Sequence, residues 1–227
     1  MSRHFIFAFF LVTMLYTSCA RPAILPGTTD NEGHVVDVSG LDNCCQDLIQ
    51  HLKRAKDITS ELSKFEWTEF AGVGVVLPPP GICATGVTYL AEKNSVPDGL
   101  RWVPLTQQLS FVPTAKNFAV SYNNYLSLAQ RVCSAGAELS LAERHELCDQ
   151  LESALVSANY LVSGHKNVVA YQVVPEIEAQ FSRSDERIRE KYLGRFKTKC
   201  GDYFALLDSL LYYTGQAQQV ASILSGG

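Results

Sequence analysis

The chain has 227 residues, 47% of them hydrophobic and 19% charged, with a net charge of −4. That mildly negative balance gives no electrostatic footprint for a nucleic-acid partner. Removing a 20-residue leader would leave about 207 residues, enough for one domain with a sizeable core.

The N-terminus reads as a secretory signal. Arg3 and His4 form a short basic start, Phe5 to Tyr16 an apolar stretch, and Ser18-Cys19-Ala20 a small-residue cleavage site. Cleavage is expected after Ala20, giving an exported, extracellular chain. The apolar stretch is shorter than the ~20 residues of a spanning helix, and no later run is long enough to span a bilayer. Six cysteines follow the leader: Cys44, Cys45, Cys83, Cys133, Cys148 and Cys200. An even number in an exported chain reads as disulfides, whose pairing the sequence does not choose. The sequence holds no Asn-x-Ser/Thr acceptor for N-glycosylation.

Residues 21–38 read as a loose, polar N-terminal arm, and 39–227 as one helical domain. A first helix is expected over about Leu41–Phe65, with Leu41, Cys45, Leu48, Leu52, Ala55, Ile58 and Leu62 as its stripe. A long connection, about Glu66–Val112, carries Pro78-Pro79-Pro80-Gly81, which excludes a helix interior there. It is nevertheless apolar, so it should lie across the helices and hold short strand or helix pieces. The second helix is expected over about Thr114–Ala135. Ser140-Leu141-Ala142-Glu143 has capping-box spacing and opens a third that runs through Leu147, Leu151, Ala154, Leu155, Ala158 and Leu161 to Gly164.

A second long connection is expected over about His165–Ser184, where Val168 to Val174 has strand-like composition. The fourth helix should begin between Asp185 and Phe196 and end near Leu224. Its stripe is Cys200, Tyr203, Leu207, Leu210, Ala217, Ala221 and Leu224. Long, short and long links predict an all-α, up-up-down-down four-helix bundle with two overhand crossover loops, reinforced by disulfides.

Chemistry is sparse. His145-Glu146-Leu147-Cys148-Asp149 opens like a zincin motif, but Asp149 stands where the second His belongs. His51 and His165 lack partners at ligand spacing. Gly72-Val73-Gly74 lacks the third glycine of a dinucleotide site, and no nucleophile elbow or P-loop is present. No catalytic residue, metal site or cofactor is therefore expected. Adjacent Cys44 and Cys45 read as two disulfides to different partners. Arg183, Arg187, Arg189, Lys191, Arg195, Lys197 and Lys199 make the entry to the fourth helix basic. That run suits either an acidic partner surface or a solvated face with local ion pairs.

Phe196 and Lys199, three residues apart at the head of the last helix, share one helical face. Together with the bundle pattern they resemble the interleukin-6-type long-chain helical cytokines, in the branch of ciliary neurotrophic factor, cardiotrophin-like cytokine and leukaemia inhibitory factor. Trp102-x-x-Leu105-x-x-x-Leu109 and Asn123-Asn124-Tyr125-Leu126 are similar to runs these cytokines carry before and within the second helix. The cysteine set is closest in character to leukaemia inhibitory factor.

The resemblance implies a secreted cytokine with growth-factor activity. It would be monomeric before binding and would bridge type I receptor chains, such as the shared interleukin-6 signal transducer or the leukaemia inhibitory factor receptor. Phe196 would stack on a receptor, Lys199 would pair with an acid, and Trp102 would join them, so Phe196 should be exposed. Two disulfide sets stay open: Cys83–Cys200 with Cys133–Cys148, or Cys44 and Cys45 tied to Cys133 and Cys148. The alternatives are a secreted helical carrier of hydrophobic ligands, which needs an enclosed apolar cavity, and another helical effector on the same bundle.

Overall fold

A computed structural model of the chain describes residues 38–79, 88–109, 112–134 and 139–225. The expected leader, most of the expected arm and the last proline of the triple run lie outside these, as does Cys83. In chain order the elements are α1 (Val38–Ser63), β1 (Val73–Leu77), β2 (Tyr89–Glu92), β3 (Arg101–Pro104), α2 (Leu105–Gln108), α3 (Val112–Ser134) and α4 (Leu141–Val168). A π-helical segment (Val169–Val173) carries α4 straight into α5 (Val174–Arg183). After a turn at Ser184 and Asp185 come α6 (Glu186–Ile188), a second π-helical segment (Arg189–Leu193) and α7 (Gly194–Ser225).

Four stripes make the bundle. Leu48, Leu52, Ala55 and Leu62 on α1 meet Tyr122, Ala129 and Val132 on α3, and Cys148, Leu151, Leu155 and Val162 on α4. α7 adds Tyr203, Leu207, Leu210, Ala217, Ala221 and Leu224, all buried, at the spacing read from the sequence. One stripe residue differs: Leu161 is 65% exposed while Val162 takes the core position. α4 opens with the expected capping box, Ser140 accepting from the Glu143 amide and Glu143 accepting from the Ser140 amide.

The chain is largely helical, but its helix order corrects the up-up-down-down expectation. The Cys45–Cys133 disulfide, with Cα atoms 5.5 Å apart, places the start of α1 beside the end of α3. At the other end, Phe65 just past α1 stacks edge-on against Tyr203 at 5.1 Å. Tyr203 bonds to His165 late in α4, and Phe118 early in α3 packs on His165 at 5.8 Å. The ends of α1 and α4 therefore share a level with the starts of α3 and α7, which is an up-down-up-down order.

The missing second crossover accounts for the antiparallel α4 and α7, and the first long link also joins antiparallel helices, α1 and α3. Residues 165–183 are helix, so α4 and α7 are arms of one long hairpin. Val169, Ile177 and Phe181 bury one face of this stretch, and that burial overrides the β-propensity of its valines. Pro175 would clash with the carbonyl four residues back, at Tyr171. That carbonyl falls in the π-helical segment, where the ladder is already loosened. Asp185 restarts the helix by accepting from the Ile188 amide at 2.9 Å.

The first long connection is present, and it folds. It forms a three-stranded antiparallel sheet in the order β2-β1-β3, a non-helical element beside the bundle. Central β1 is buried on both faces through Val73, Val75 and Val76. The sheet lies on the projecting tip of the hairpin and encloses a second core of Trp67, Phe70, Val73, Leu90, Phe181 and Tyr192. The fold is thus divided between a bundle and a head, each with its own core.

Candidate functional site

The head collects the three residues singled out in the sequence, and it uses them as structure. Phe196 is 0% exposed, so its expected exposure is not found. Its ring lies 5.6 Å from Phe181 across the hairpin and 6.0 Å edge-on from Phe70. The helix starts at Glu186, which leaves Phe196 well inside the element and away from the hairpin tip.

Lys199 diverges from it. Its ammonium lies 3.3 Å from Glu69 Oε2 and 5.0 Å over the Phe65 ring, clasping the link after α1 to the last helix. An open groove of about 530 Å³ runs beside it, lined by Glu69, Gly194, Arg195, Thr198 and Asp202. Trp102 on β3 is half-buried. Its indole Nε1 donates to the Ala91 carbonyl at 3.1 Å, crossing β1 above Gly74, and Lys93 lies 5.9 Å from the ring.

Four of the seven basic residues, Arg187, Lys191, Lys197 and Lys199, are paired with carboxylates, in line with the solvated-face alternative. Lys191 and Arg187 both meet Glu92, at 2.8 and 3.7 Å, and Lys197 meets Glu178 at 3.7 Å. The Lys191 hydrogen bond, with its charge, holds the Glu92 carboxyl below the usual carboxylate range. Ser184 completes the clasp. Its hydroxyl accepts from the Leu90 amide and donates to the Gln180 carbonyl, each at 2.7 Å, fastening the sheet to the turn.

The cysteines follow neither proposed set in full. Cys45 pairs with Cys133, one link of the second set, and Cys44 is also disulfide-bonded. Cys148 and Cys200 are free and buried, so the Cys133–Cys148 and Cys83–Cys200 bridges are not formed. They sit in different cores, Cys148 in the bundle and Cys200 in the head. Among the described residues no group of three or more His, Cys, Asp or Glu converges as a metal cage, and no helix is long and apolar enough to cross a membrane.

The outer face of α4 and of the π-helical segment that follows it carries a feature the sequence reading missed. Tyr160, Leu161, Val168 and Tyr171 are 77%, 65%, 47% and 79% exposed. Beside Tyr160, a groove of about 470 Å³ opens between α4 and α7, lined by Val156, Asn159, Ser163, Leu211 and Gln218. The signal was legible as an absence of charge: between Glu152 and Glu176 the only charged residue is Lys166. That ammonium is paired with Asp208 of α7. The bundle behind this face is filled, with Tyr122 and Tyr203 on its axis and the Tyr122 hydroxyl bonded to Thr214.

The chain matches no protein-family model, no curated protein and no solved structure.

Proposed function

We propose that this chain is an exported helical ligand, recognised by the ectodomain of a cell-surface receptor and performing no catalysis itself. The observation that carries the reading is the filled bundle interior. Tyr122, Tyr203, Leu48, Leu52, Leu151 and Leu207 close the axis where a carrier would hold an apolar ligand. Both grooves described above open to solvent. Export is supported by the leader-like N-terminus and by the Cys45–Cys133 disulfide, which suits an oxidising compartment.

Type I cytokine receptors, including the interleukin-6 signal transducer and leukaemia inhibitory factor receptor types, are the receptor class the resemblance nominates. The helix order and the inward Phe196 remove two supports for that choice, so the contact is assigned to neither Phe196 nor Trp102. The test is a binding screen of the folded chain against immobilised type I ectodomains, run beside a hydrophobic-ligand uptake assay. Saturable receptor binding is expected. Uptake of one apolar ligand per chain, without receptor binding, would replace this reading with the carrier.

A further inference from the structure

We propose that two copies of this chain pair through the outer face of α4, antiparallel, about a two-fold axis near His165 and Lys166. The inference stands on this face alone and does not require the receptor reading. Three observations carry it.

The first is composition. Between Ser153 and Pro175 the exposed positions are Ser157, Tyr160, Leu161, Gly164, Asn167, Val168, Tyr171 and Gln172, none of them charged. Depletion of charge with enrichment of aromatic residues marks the buried centre of protein interfaces. Lys166, the one charge within the stretch, is neutralised by Asp208 of its own chain. Glu152 and Glu176 lie beyond its two ends.

The second is order. The stripe Tyr160, Gly164, Asn167, Tyr171 has spacings of four, three and four residues, which read the same in both directions. Such a stripe meets itself when a second copy is turned end over end, as a two-fold interface requires. Tyr160 then faces Tyr171 of the second copy, and Gly164 faces Asn167 of the second copy. Nothing lies within 4 Å of the place a Cβ on Gly164 would occupy, so the surface is open at the centre of the stripe. The groove between Tyr160 and Leu211 is open to receive the second copy's Tyr171 ring.

The third is area. At roughly 200 Å² for a whole aromatic side chain, the four exposed apolar residues offer on the order of 500 Å² per copy. That is more than half of the ~800 Å² per partner of a standard interface, and the uncharged residues between them extend it. The resemblance implied a monomer, and the two-fold pair takes its place here.

The test is the molar mass of the purified full chain by sedimentation equilibrium across micromolar concentrations, for wild type and for Tyr160→Glu with Tyr171→Glu. The expected result is a dimer for wild type and half that mass for the variant, with unchanged circular dichroism and a lower thermal midpoint, since the partner copy stabilises the folded chain. Should the double variant misfold, Asn167→Glu on the same face is expected to halve the mass instead. A wild-type chain that stays monomeric throughout overturns the proposal. So does a folded variant that remains dimeric.

Discussion

Nε2 of His165 lies 2.8 Å from the phenol oxygen of Tyr203, joining the end of α4 to α7 where the bundle meets the head. Phe118 packs edge-on against the same imidazole. Burial holds His165 below its ordinary pKa of 6.5, and His51 shifts the same way, burial outweighing the opposing charge of Asp47. An unfolded histidine takes up its proton near 6.5, while these folded ones do so only at lower pH. Their contribution to stability is therefore complete above about 6.5 and is lost as pH falls below it. The urea midpoint should be lower at pH 5 than at pH 7.5, with a weaker pH dependence in His165→Gln. The depressed carboxyls of Glu92 and Glu143 act only in the lower, carboxylate range. A midpoint flat between pH 7.5 and 5 would contradict this account.

The Cys45–Cys133 bridge closes a separation of 88 residues between the start of α1 and the end of α3. In the chain-entropy account, constraining an unfolded loop of that size contributes about 4.6 kcal/mol. Cys45→Ala with Cys133→Ala should lose stability of that order, measured by denaturant unfolding. The fold should remain, because the helix stripes it joins are packed independently of the bridge.

Two thiols remain inside. Burial pushes Cys148 up to about 11 and Cys200 up to about 12, with nearby Asp149 and Glu178 adding to the shift. Thiolate is the nucleophile, so neither should react in the folded protein. Iodoacetamide at pH 8 should leave both unmodified, and denaturant should expose both. Intact mass counts the adducts. Rapid labelling of either thiol in the native chain would contradict its placement.

Gly74 and Trp102 are fitted to each other. A Cβ at Gly74 would meet Trp102 Cε2 at 2.5 Å and collide with the Val103 carbonyl, a backbone atom that cannot rotate away. Gly74→Ala should therefore destabilise the head by about 1–3 kcal/mol, the usual range for overpacking. Trp102→Phe, which keeps the ring contact but loses the bond to Ala91, should cost about 1 kcal/mol. Tryptophan fluorescence during unfolding would report both.

Some of this structure was legible and some was not, for definite reasons. The α1 and α7 stripes and the Ser140 cap are local signals, and each is found where its spacing places it. Residues 165–183 read as a connection because a local signal, the strand-like valine run, argued against helix. The burial of Ile177 and Phe181 under the sheet is a contact with residues far away in the chain. The same distant contact turned Phe196 inward: Phe70 and the sheet supply its cover, and helical spacing alone does not reveal them. On α4 the misreading was by one position. Leu161 and Val162 are equally apolar, and only the packing of neighbouring helices selects Val162.

Phe196 holds the head together from within and does not offer its ring to a partner. The stability of Phe196→Ala against urea tests this most directly. Removing a fully buried phenylalanine is predicted to lose about 3–5 kcal/mol, with Phe196→Leu losing much less. A loss within about 0.5 kcal/mol of zero, as at an exposed position, would contradict it and return Phe196 to the surface as a candidate receptor contact.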